Sequence, residues 1–476
     1  MSSAAPAKPI GVLSPSYRGV TITLVALVTI IAFEALAIST VMPRVAHALN
    51  AGGDYGLAFS FLFTTQLLGI VVADPWIGRS GPMPALWGGQ VLFAGGSLLC
   101  GLAPTFSVLL LGRLVAGAGA GLVIVAIYVV IGAVYEPRLR PAVFSWISAA
   151  WVLPSIIGPV VAARLTAWLT WRSVFLLMVP AVALTMLALA RYRQRLGHRP
   201  PAPPAGSRER ARRALVLGLT IALGGGLVQW SGTQLTSSQR TPVVFGLIGA
   251  VLLAIAVPRL LPPGALRLAR GLPSVTVARG LMTAAFNGSV TFIPLMLVHQ
   301  RGFGLDAAGA LLALASIGWA GGAYLQGRPA FAGRHRRFMA LGAMCATVGT
   351  LSYAIVMVTH APVFVFVLAT TVVGLGMGLA TASSSVLTLQ LAPRAQHAEA
   401  SSALQLSDVL GSMLGIALTS AVFATWGRAD ADRPEVFAVQ WLLMTLVAAL
   451  AVVASLRLSE RAPVRRGSPP AANARG

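Results

Sequence analysis

The sequence FSVLLLGRLVAGAGAGLVIVAIYVVIGAV, residues 106–134, is 29 residues long, and Arg113 is its one charged residue. A helix needs about 20 apolar residues to cross the hydrocarbon layer of a bilayer, so this stretch predicts a transmembrane helix. The composition of the whole chain agrees, since 57% of the residues are hydrophobic and 10% are charged. Soluble domains have about 25% charged residues. The chain is therefore predicted to be a membrane protein.

Fourteen long apolar stretches follow one another along the chain, and we interpret each as one membrane span. The predicted spans are 20–42, 56–74, 84–103, 106–134, 143–168, 172–193, 214–233, 241–261, 275–299, 306–327, 337–359, 362–391, 399–426 and 436–458. The first span is too long for the core of a signal peptide, so we expect it to remain as the first helix. The sequence therefore predicts an all-α integral membrane protein.

The basic residues indicate the side of the membrane on which each loop lies. The net charge is +23, and 27 of the 35 Lys and Arg residues fall in the two tails and in every second loop, Arg279 included. Loops rich in Lys and Arg stay in the cytoplasm. This predicts a multi-pass protein of the cytoplasmic (cell) membrane with both termini inside. The charge indicates topology first and contact with anionic membrane lipids second, and it does not indicate a nucleic-acid partner.

Two basic, proline-containing segments divide the spans into groups of six, two and six. The predicted parts are cytoplasmic tails at 1–19 and 459–476, six-helix bundles at 20–193 and 275–458, two inserted helices at 214–261, and basic linkers at 194–213 and 262–274. The two bundles resemble each other at an offset of 257 residues, because the pattern GxGxGL begins at Gly117 and again at Gly374. Duplicated bundles with a central site are a recurrent plan among transporters.

Two charges inside the predicted spans occur at similar depths. Glu34 lies eight residues before Met42, at the outer end of its span, and Arg113 lies seven residues after Phe106, at the outer start of its span. At about 1.5 Å per residue, both lie roughly 10–12 Å from the outer surface. Since an unpaired charge is expensive there, the sequence predicts an ion pair. The pair either locks two helices together or exchanges a proton, because burial opposes the charged carboxylate while the arginine favours it.

Asp408 is the other acidic residue that lies well inside a span. It either titrates as a second proton site or forms a hydrogen bond between helices. The offset of 257 places Thr370 at the position of Arg113, so we expect the intramembrane charge pair in one bundle only. Uncharged polar side chains in the spans either line a substrate cavity or pack between helices. The cavity candidates are Gln66, Tyr128, Asn287, Gln326 and Ser384.

The sequence shows none of the common patterns of enzymes or metal sites. The six histidines do not cluster and form no HExxH motif. Cys100 and Cys345 fall in separate apolar spans and are interpreted as packing residues. No phosphate loop, paired-Asp metal motif or nucleophile elbow occurs. We therefore expect neither enzyme activity nor a metal or cofactor.

The charged spans resemble motifs of the major facilitator superfamily, specifically its fourteen-span drug:proton antiporter branch, and the resemblance covers residues 20–458. In FEALAISTVMPRVAHAL, residues 33–49, Glu34 stands nine positions before Pro43, where this branch usually has Asp. In LGRLVAGAGAGL, residues 111–122, Arg113 is followed by small residues as in the family motif. The resemblance implies a role for Arg113 in proton coupling. We assign proton exchange to Glu34, with Asp408 as a second candidate.

Two further segments resemble family motifs that govern conformational change. The fifth span, PSIIGPVVAARLTAWLTWRSVF (154–175), keeps the Gly-Pro step of the antiporter motif but has Pro or Ala at three of its glycine positions. The loop between spans two and three has Gly78 where the family has Asp, and Asp74, one helical turn earlier, is the candidate replacement. The gating candidates are Asp74, Gly78, Arg79, Gly81, Gly158 and Pro159.

These features predict the major facilitator fold with fourteen transmembrane helices, two six-helix bundles plus two inserted helices, working by alternating access. The resemblance implies proton-driven export of a small organic compound by a monomer, with the proton gradient as energy source. A facilitator or importer of a metabolite or lipid would share this fold. A non-transporting scaffold or a membrane-embedded enzyme is a further alternative, which the missing catalytic motifs oppose.

Overall fold

The computed structural model describes residues 11–49, 57–192, 207–234, 241–303, 305–359, 361–423 and 434–458. These residues form α-helices joined by short connections. The helices are α1 (Arg18–Ala48), α2 (Leu57–Ser80), α3 (Pro82–Leu102), α4 (Phe106–Val134), α5 (Arg140–Trp168), α6 (Trp171–Leu176), α7 (Met178–Ala190), α8 (Ser207–Gln234), α9 (Thr241–Leu260), α10 (Leu272–Val290), α11 (Ile293–Arg301), α12 (Leu305–Gly327), α13 (His335–Thr359), α14 (Val363–Leu391), α15 (His397–Val422) and α16 (Pro434–Leu456).

The helices follow the predicted apolar stretches. Two of those stretches contain a pair of consecutive helices, α6 with α7 and α10 with α11, and each of the others contains one helix. In the described ranges, twelve helical segments are long and apolar enough to cross a membrane, and neither α10–α11 nor α12 is among them. The structure therefore shows an all-α, multi-pass architecture, while the count of fourteen spans stays a prediction.

Several helices extend into segments that were predicted as loops or linkers. α8 begins at Ser207 instead of near 214, and α10 begins at Leu272 instead of near 275. The predicted loop between the second and third spans is wrong, because α2 continues through Pro75 to Ser80. Proline is tolerated in membrane helices because neighbouring helices compensate for the lost hydrogen bond. The turn itself is Gly81, whose φ of 82° is a left-handed conformation that suits a residue without a Cβ.

Glycines bring equivalent helices together in the N-terminal bundle (α1–α7) and the C-terminal bundle (α10–α16). A Cβ on Gly121 of α4 would overlap the carbonyl oxygen of Gln66 on α2. In the other bundle a Cβ on Gly378 of α14 would overlap the carbonyl oxygen of Trp319 on α12. The two glycines are 257 residues apart and their partners 253 residues apart. The sequence repeat therefore corresponds to a repeated helix packing.

The inserted helices α8 and α9 lie beside the two bundles. α8 packs against α9 and against α2, where Gly218 meets Val71, and its Gly225 meets Met413 of α15. α9 packs on α8, and its other described faces are largely exposed. α8 thus contacts both bundles where α2 and α15 meet.

The bundles also contact each other at the ends of the helices beside the arginine-rich loops, which we call the basic end. Ser145 Oγ of α5 donates a hydrogen bond of 2.7 Å to the carbonyl oxygen of Ala323 on α12. The His397 ring, at the start of α15, packs against Gly132 near the end of α4, where a Cβ would lie 2.8 Å from its Nδ1. The bundles are therefore joined at the basic end in this conformation.

Candidate functional site: two intramembrane ion pairs

Glu34 and Arg113 form an ion pair inside the N-terminal bundle, as their similar depths predicted. Arg113 Nη1 donates to Glu34 Oε1, and Arg113 Nε donates to the carbonyl oxygen of Ala58 at 2.8 Å. Gly117, one turn further along α4, permits this geometry because a Cβ there would overlap α2 at Leu62. One guanidinium group therefore connects α1, α2 and α4.

This ion pair is almost completely buried and leaves one carboxylate oxygen unused. Glu34 is 2% exposed and Arg113 is 1% exposed. Within the described part of the chain, Glu34 Oε2 has no hydrogen-bond partner. Buried polar atoms without a partner are uncommon in folded proteins and call for an explanation. Oε2 is therefore the one oxygen of this carboxylate without a described hydrogen bond.

A second ion pair lies in the C-terminal bundle, where the sequence analysis expected none. Arg279 of α10 donates from Nε and Nη2 to the two oxygens of Asp408 on α15, at 2.5 and 3.0 Å. Thr283 Oγ1 donates to Asp408 Oδ1 at 2.5 Å. The charge pattern predicts Arg279 in a cytoplasmic loop, but it lies inside α10 and is 5% exposed. The prediction of charges in one bundle only is therefore wrong.

Hydroxyl groups extend this second pair towards the contact between the bundles. Arg279 Nη1 donates to Ser384 Oγ on α14 at 3.2 Å. The next residue, Ser385, donates to Tyr128 Oη on α4, again at 3.2 Å. We call this set the junction cluster: Tyr128, Arg279, Thr283, Ser384, Ser385 and Asp408.

The two ion pairs differ in depth and in access to solvent. Asn287 of α10 corresponds to Glu34 of α1 at an offset of 253, and Arg279 lies eight residues before it. At about 1.5 Å per residue, Arg279 is about 12 Å nearer the basic end. The Asp408 side chain is 23% exposed, whereas that of Glu34 is 2% exposed. The pairs are therefore not copies of each other, and the second is the more accessible.

The gating candidates Asp74, Gly78 and Arg79 lie near the basic end of α2, and Gly81 lies in the turn that follows it. Asp74 is half-buried, while Gly78 and Arg79 are exposed. A Cβ on Gly78 would meet no atom within 4 Å, so this glycine is not needed for a close helix contact. Gly81 is buried and forms the turn into α3. The structure supports a conformational requirement for Gly81 and none for Gly78.

The gating candidates of the fifth span lie within α5. Gly158 faces α1, and a Cβ there would lie 3.7 Å from the ring of Phe33, an ordinary contact. The side chain of Pro159 lies outside the described residues. The packing of α5 on α1 next to Glu34 therefore does not require a glycine at position 158.

The cavity candidates separate into two groups. Tyr128 and Ser384 belong to the junction cluster, and Asn287 approaches it by donating to the Thr283 carbonyl oxygen at 3.2 Å and to Ser412 Oγ at 2.8 Å. Gln66 and Gln326 are not part of it, and in the described structure both amide atoms of the fully buried Gln326 have no partner. Sequence reasoning missed Arg279 and Thr283 as members of the site. The position of Arg279 inside an apolar stretch was the signal that could have identified it.

Two related helical bundles, each with an ion pair between its helices, form an arrangement that recurs among membrane transporters. The family model of the Major Facilitator Superfamily matches residues 22–360 and 330–475. The chain belongs to the Major Facilitator Superfamily. It is a transporter of this family and not an enzyme.

Solved structures of the family share the fold at low sequence identity. The proton:xylose symporter XylE matches with a TM-score of 0.62 and 14% identity, over 92% of this chain and 95% of its own. The human organic anion transporter MFSD10 matches with a TM-score of 0.62 and 13% identity, over 91% of this chain and 99% of its own. Identity at this level supports the fold alone.

Relatives with a described activity match over parts of the chain. The multidrug efflux pump SdrM of Staphylococcus aureus is 29% identical over 35% of this chain and 38% of its own length. A triacylglyceride transporter of Mycolicibacterium hassiacum is 27% identical over 77% of this chain and 71% of its own length. The MFS-type transporter ungB of Aspergillus violaceofuscus is 28% identical over 51% of this chain. The chain spans less than half the length of several of these relatives, ungB at 45% among them.

Proposed function

We propose that the protein is a fourteen-span, proton-driven exporter of a small, amphipathic organic compound. It works by alternating access in the cytoplasmic membrane, with both termini inside. Glu34 exchanges the proton, Arg113 controls how readily it does so, and the two bundles move relative to each other around a central site. The structure has sixteen α-helices in its described ranges. If α6–α7 and α10–α11 each count as one span, these helices are consistent with fourteen spans.

The observation that carries this proposal is the Glu34–Arg113 pair with its unpartnered oxygen. A proton on Glu34 Oε2 neutralises the acid and weakens its attraction to Arg113. Arg113 keeps its hydrogen bond to Ala58 on α2, so the change loosens α1 from α2 and α4. Antiport needs such a carboxylate, which binds a proton on one side of the membrane and releases it on the other. Ion pairs inside membrane bundles mark proton relays and substrate pathways more often than packing sites.

Asp408 is the second candidate for proton exchange. Its side chain is 23% exposed, whereas that of Glu34 is 2% exposed. Arg279 and Thr283 bond to its ionised form, and its protonation would release Arg279. Names of partly matching relatives support export, since SdrM is a multidrug efflux pump and MdtL of Escherichia fergusonii is a multidrug resistance protein.

Efflux of amphipathic dyes such as ethidium from loaded cells tests this function. We expect export by the wild-type chain to stop when the proton gradient is collapsed, and the Glu34→Gln chain to lose gradient-dependent export. Glu136→Gln is the matched control, because Glu136 pairs with Arg138 on the surface, where the side chains are 46% and 61% exposed. Undiminished, gradient-dependent export by the Glu34→Gln chain would refute the assignment of proton coupling.

Lipid transport is a second candidate function. It is favoured by one observation, that the triacylglyceride transporter of M. hassiacum matches 77% of this chain. Proteoliposomes containing a fluorescent triacylglycerol distinguish the two candidates. Transfer of this lipid without dye export would favour the second function, and dye export without lipid transfer would favour the first.

A further inference from the structure

Tyr128 and Ser385 are equivalent positions of the two bundles, and they touch each other. They are 257 residues apart, which is the offset of the repeat, and Ser385 Oγ donates to Tyr128 Oη at 3.2 Å. Equivalent residues of two related bundles meet only near the axis that relates them. The contact therefore marks the pseudo-twofold axis of the molecule, between the bundles that must separate and close during alternating access.

Tyr128 is held firmly by its own bundle. It is 4% exposed, and its ring packs on Phe144 of α5 with the ring centres 4.9 Å apart. Its hydroxyl group accepts a hydrogen bond from Ser385 of the C-terminal bundle. Its partner Ser385 is adjacent to Ser384, which accepts a hydrogen bond from Arg279. One hydroxyl group thus connects the N-terminal bundle to the second ion pair.

We propose that Tyr128 is a positioning residue that links protonation of Asp408 to separation of the bundles at the basic end. The inference rests on the proposed function, because it assigns Asp408 a proton in the transport cycle. In the closed conformation, ionised Asp408 holds Arg279 against Ser384, and Ser385 holds Tyr128. A proton on Asp408 leaves Arg279 as a buried cation without a counter-charge, which is costly. Separation of the bundles lets water reach Arg279, so protonation favours the conformation that is open at the basic end.

Few charged groups other than Arg279 can mediate this effect. α14 carries no charged residue, and α10 carries Arg279 alone. The titratable or charged residues on α15 itself and on the other helices packed against it are His397 and Glu399 (α15), Asp74 and Arg79 (α2), Arg113 and Tyr128 (α4), Arg208, Glu209, Arg210, Arg212 and Arg213 (α8), and Glu435 (α16). Arg279 is the charged residue with a described hydrogen bond to Asp408. Glu136 is the control acid, since it pairs with Arg138 at the surface.

Distances between two spin labels measure the opening directly. The labels are placed at Ser80→Cys and Arg337→Cys, exposed positions at the basic end of different bundles, in a chain with Cys100→Ala and Cys345→Ala. Pulsed EPR on purified full-length protein, without substrate or gradient, gives the populations of short and long distances. We expect the long-distance population of the wild type to grow as the pH is lowered.

The variants should change the ratio of open to closed molecules in a stated direction and by a stated amount. We expect Tyr128→Phe, which keeps the ring, to raise the ratio of open to closed molecules about 2- to 10-fold at high pH, the equivalent of one net hydrogen bond, and to reduce the increase of that ratio as the pH is lowered. Ser385→Ala should have the same effect, and the double variant should add nothing. Asp408→Asn should remove most of the pH dependence, whereas Glu136→Gln, at the exposed surface pair with Arg138, should keep it. Tyr353→Phe is the matched control, because Tyr353 is buried within the C-terminal bundle.

Several outcomes would overturn the inference. Tyr128→Phe could match the wild type or Tyr353→Phe, the effects of Tyr128→Phe and Ser385→Ala could add, or Asp408→Asn could keep the full pH dependence.

Because no substrate is present in the distance measurement, failure of this inference can be separated from failure of the proposed function. A chain that exports dye by proton antiport yet gives unchanged distances refutes this inference alone. A chain with the expected distances but no gradient-dependent export refutes the proposed function alone. Ser385→Ala replaces Tyr128→Phe if that variant does not fold.

Discussion

Arg113 bonds one carboxylate oxygen of Glu34 and leaves the other oxygen buried without a described partner. A purely structural pair and a proton-exchanging pair share this contact but respond differently when both charges are removed. A structural pair can be replaced by apolar side chains of similar volume with little loss of stability, and sometimes with a gain. A proton-exchanging pair cannot be replaced in this way without losing coupling.

Removal of one partner should therefore destabilise the protein more than removal of both. We expect Glu34→Gln to lower the free energy of unfolding by about 3–5 kcal/mol, because Arg113 remains buried and uncompensated. The double variant Glu34→Met/Arg113→Met should recover most of this loss in a thermal-unfolding measurement. Gradient-dependent export should be absent from both variants. Coupled export by the double variant would show that the pair is a structural lock.

The second ion pair should tolerate loss of its acid better than the first. The Asp408 side chain is 23% exposed and that of Glu34 is 2% exposed, so removal of Asp408 vacates a less completely enclosed site. We expect Asp408→Ala to lower the free energy of unfolding by about 1–3 kcal/mol. The control Glu136→Ala, at an exposed pair, should change it by less than about 1 kcal/mol. A loss at Asp408 as small as that of the control would show that the second pair contributes little to stability.

The glycines of the repeat should be equally necessary in both bundles. Gly121→Ala and Gly378→Ala each place a Cβ on a backbone carbonyl oxygen of the neighbouring helix, so each should destabilise the protein by about 1–3 kcal/mol. Gly95→Ala on α3 is the control, because its Cβ would meet no atom within 4 Å. We expect it to be neutral or slightly stabilising. Thermal unfolding of the three variants checks this, and a tolerated Gly378→Ala would mean that the packing differs between the bundles.

The basic-end contact between Gly132 and His397 should control opening of the bundles. A Cβ at Gly132 would lie 2.8 Å from His397 Nδ1, so Gly132→Ala pushes α4 and α15 apart. We expect a larger open population in the spin-label measurement and a faster reaction of thiol reagents with cysteines at the basic end. Gly78→Ala is the control, because its Cβ would meet open space. An unchanged open population would show that His397 turns aside without moving the helices.

The membrane spans and the first ion pair could be predicted from the sequence for simple physical reasons. Long apolar stretches leave helices as the main way to satisfy backbone hydrogen bonds in lipid. Glu34 and Arg113 were isolated charges at similar depths, so each was the other's natural partner. The repeat could also be predicted, because Gly121 and Gly378 are required where helix backbones approach closely.

The second ion pair could not be predicted in the same way. Arg279 lies about two turns inside α10, next to arginines that the topology rule places in the cytoplasm. Its contact with Asp408 depends on α10 packing against α15, which are 129 residues apart at these positions. The positions of Gln66 and Gln326 outside the junction cluster could not be predicted either, since composition does not reveal which side of a helix faces a cavity. The loop predicted after residue 74 was wrong because α2 continues through Pro75 and Gly78 to Ser80.

The central claim is that substrate and protons cross the membrane in opposite directions through Glu34. Proteoliposomes with an internal pH-sensitive dye test it most directly when an exported compound from the dye screen is supplied on one side without an imposed pH gradient. The account predicts proton movement against the direction of the compound for the wild type and for Glu136→Gln, and none for Glu34→Gln. Proton movement in the same direction as the compound, or undiminished counterflow with Glu34→Gln, would contradict it.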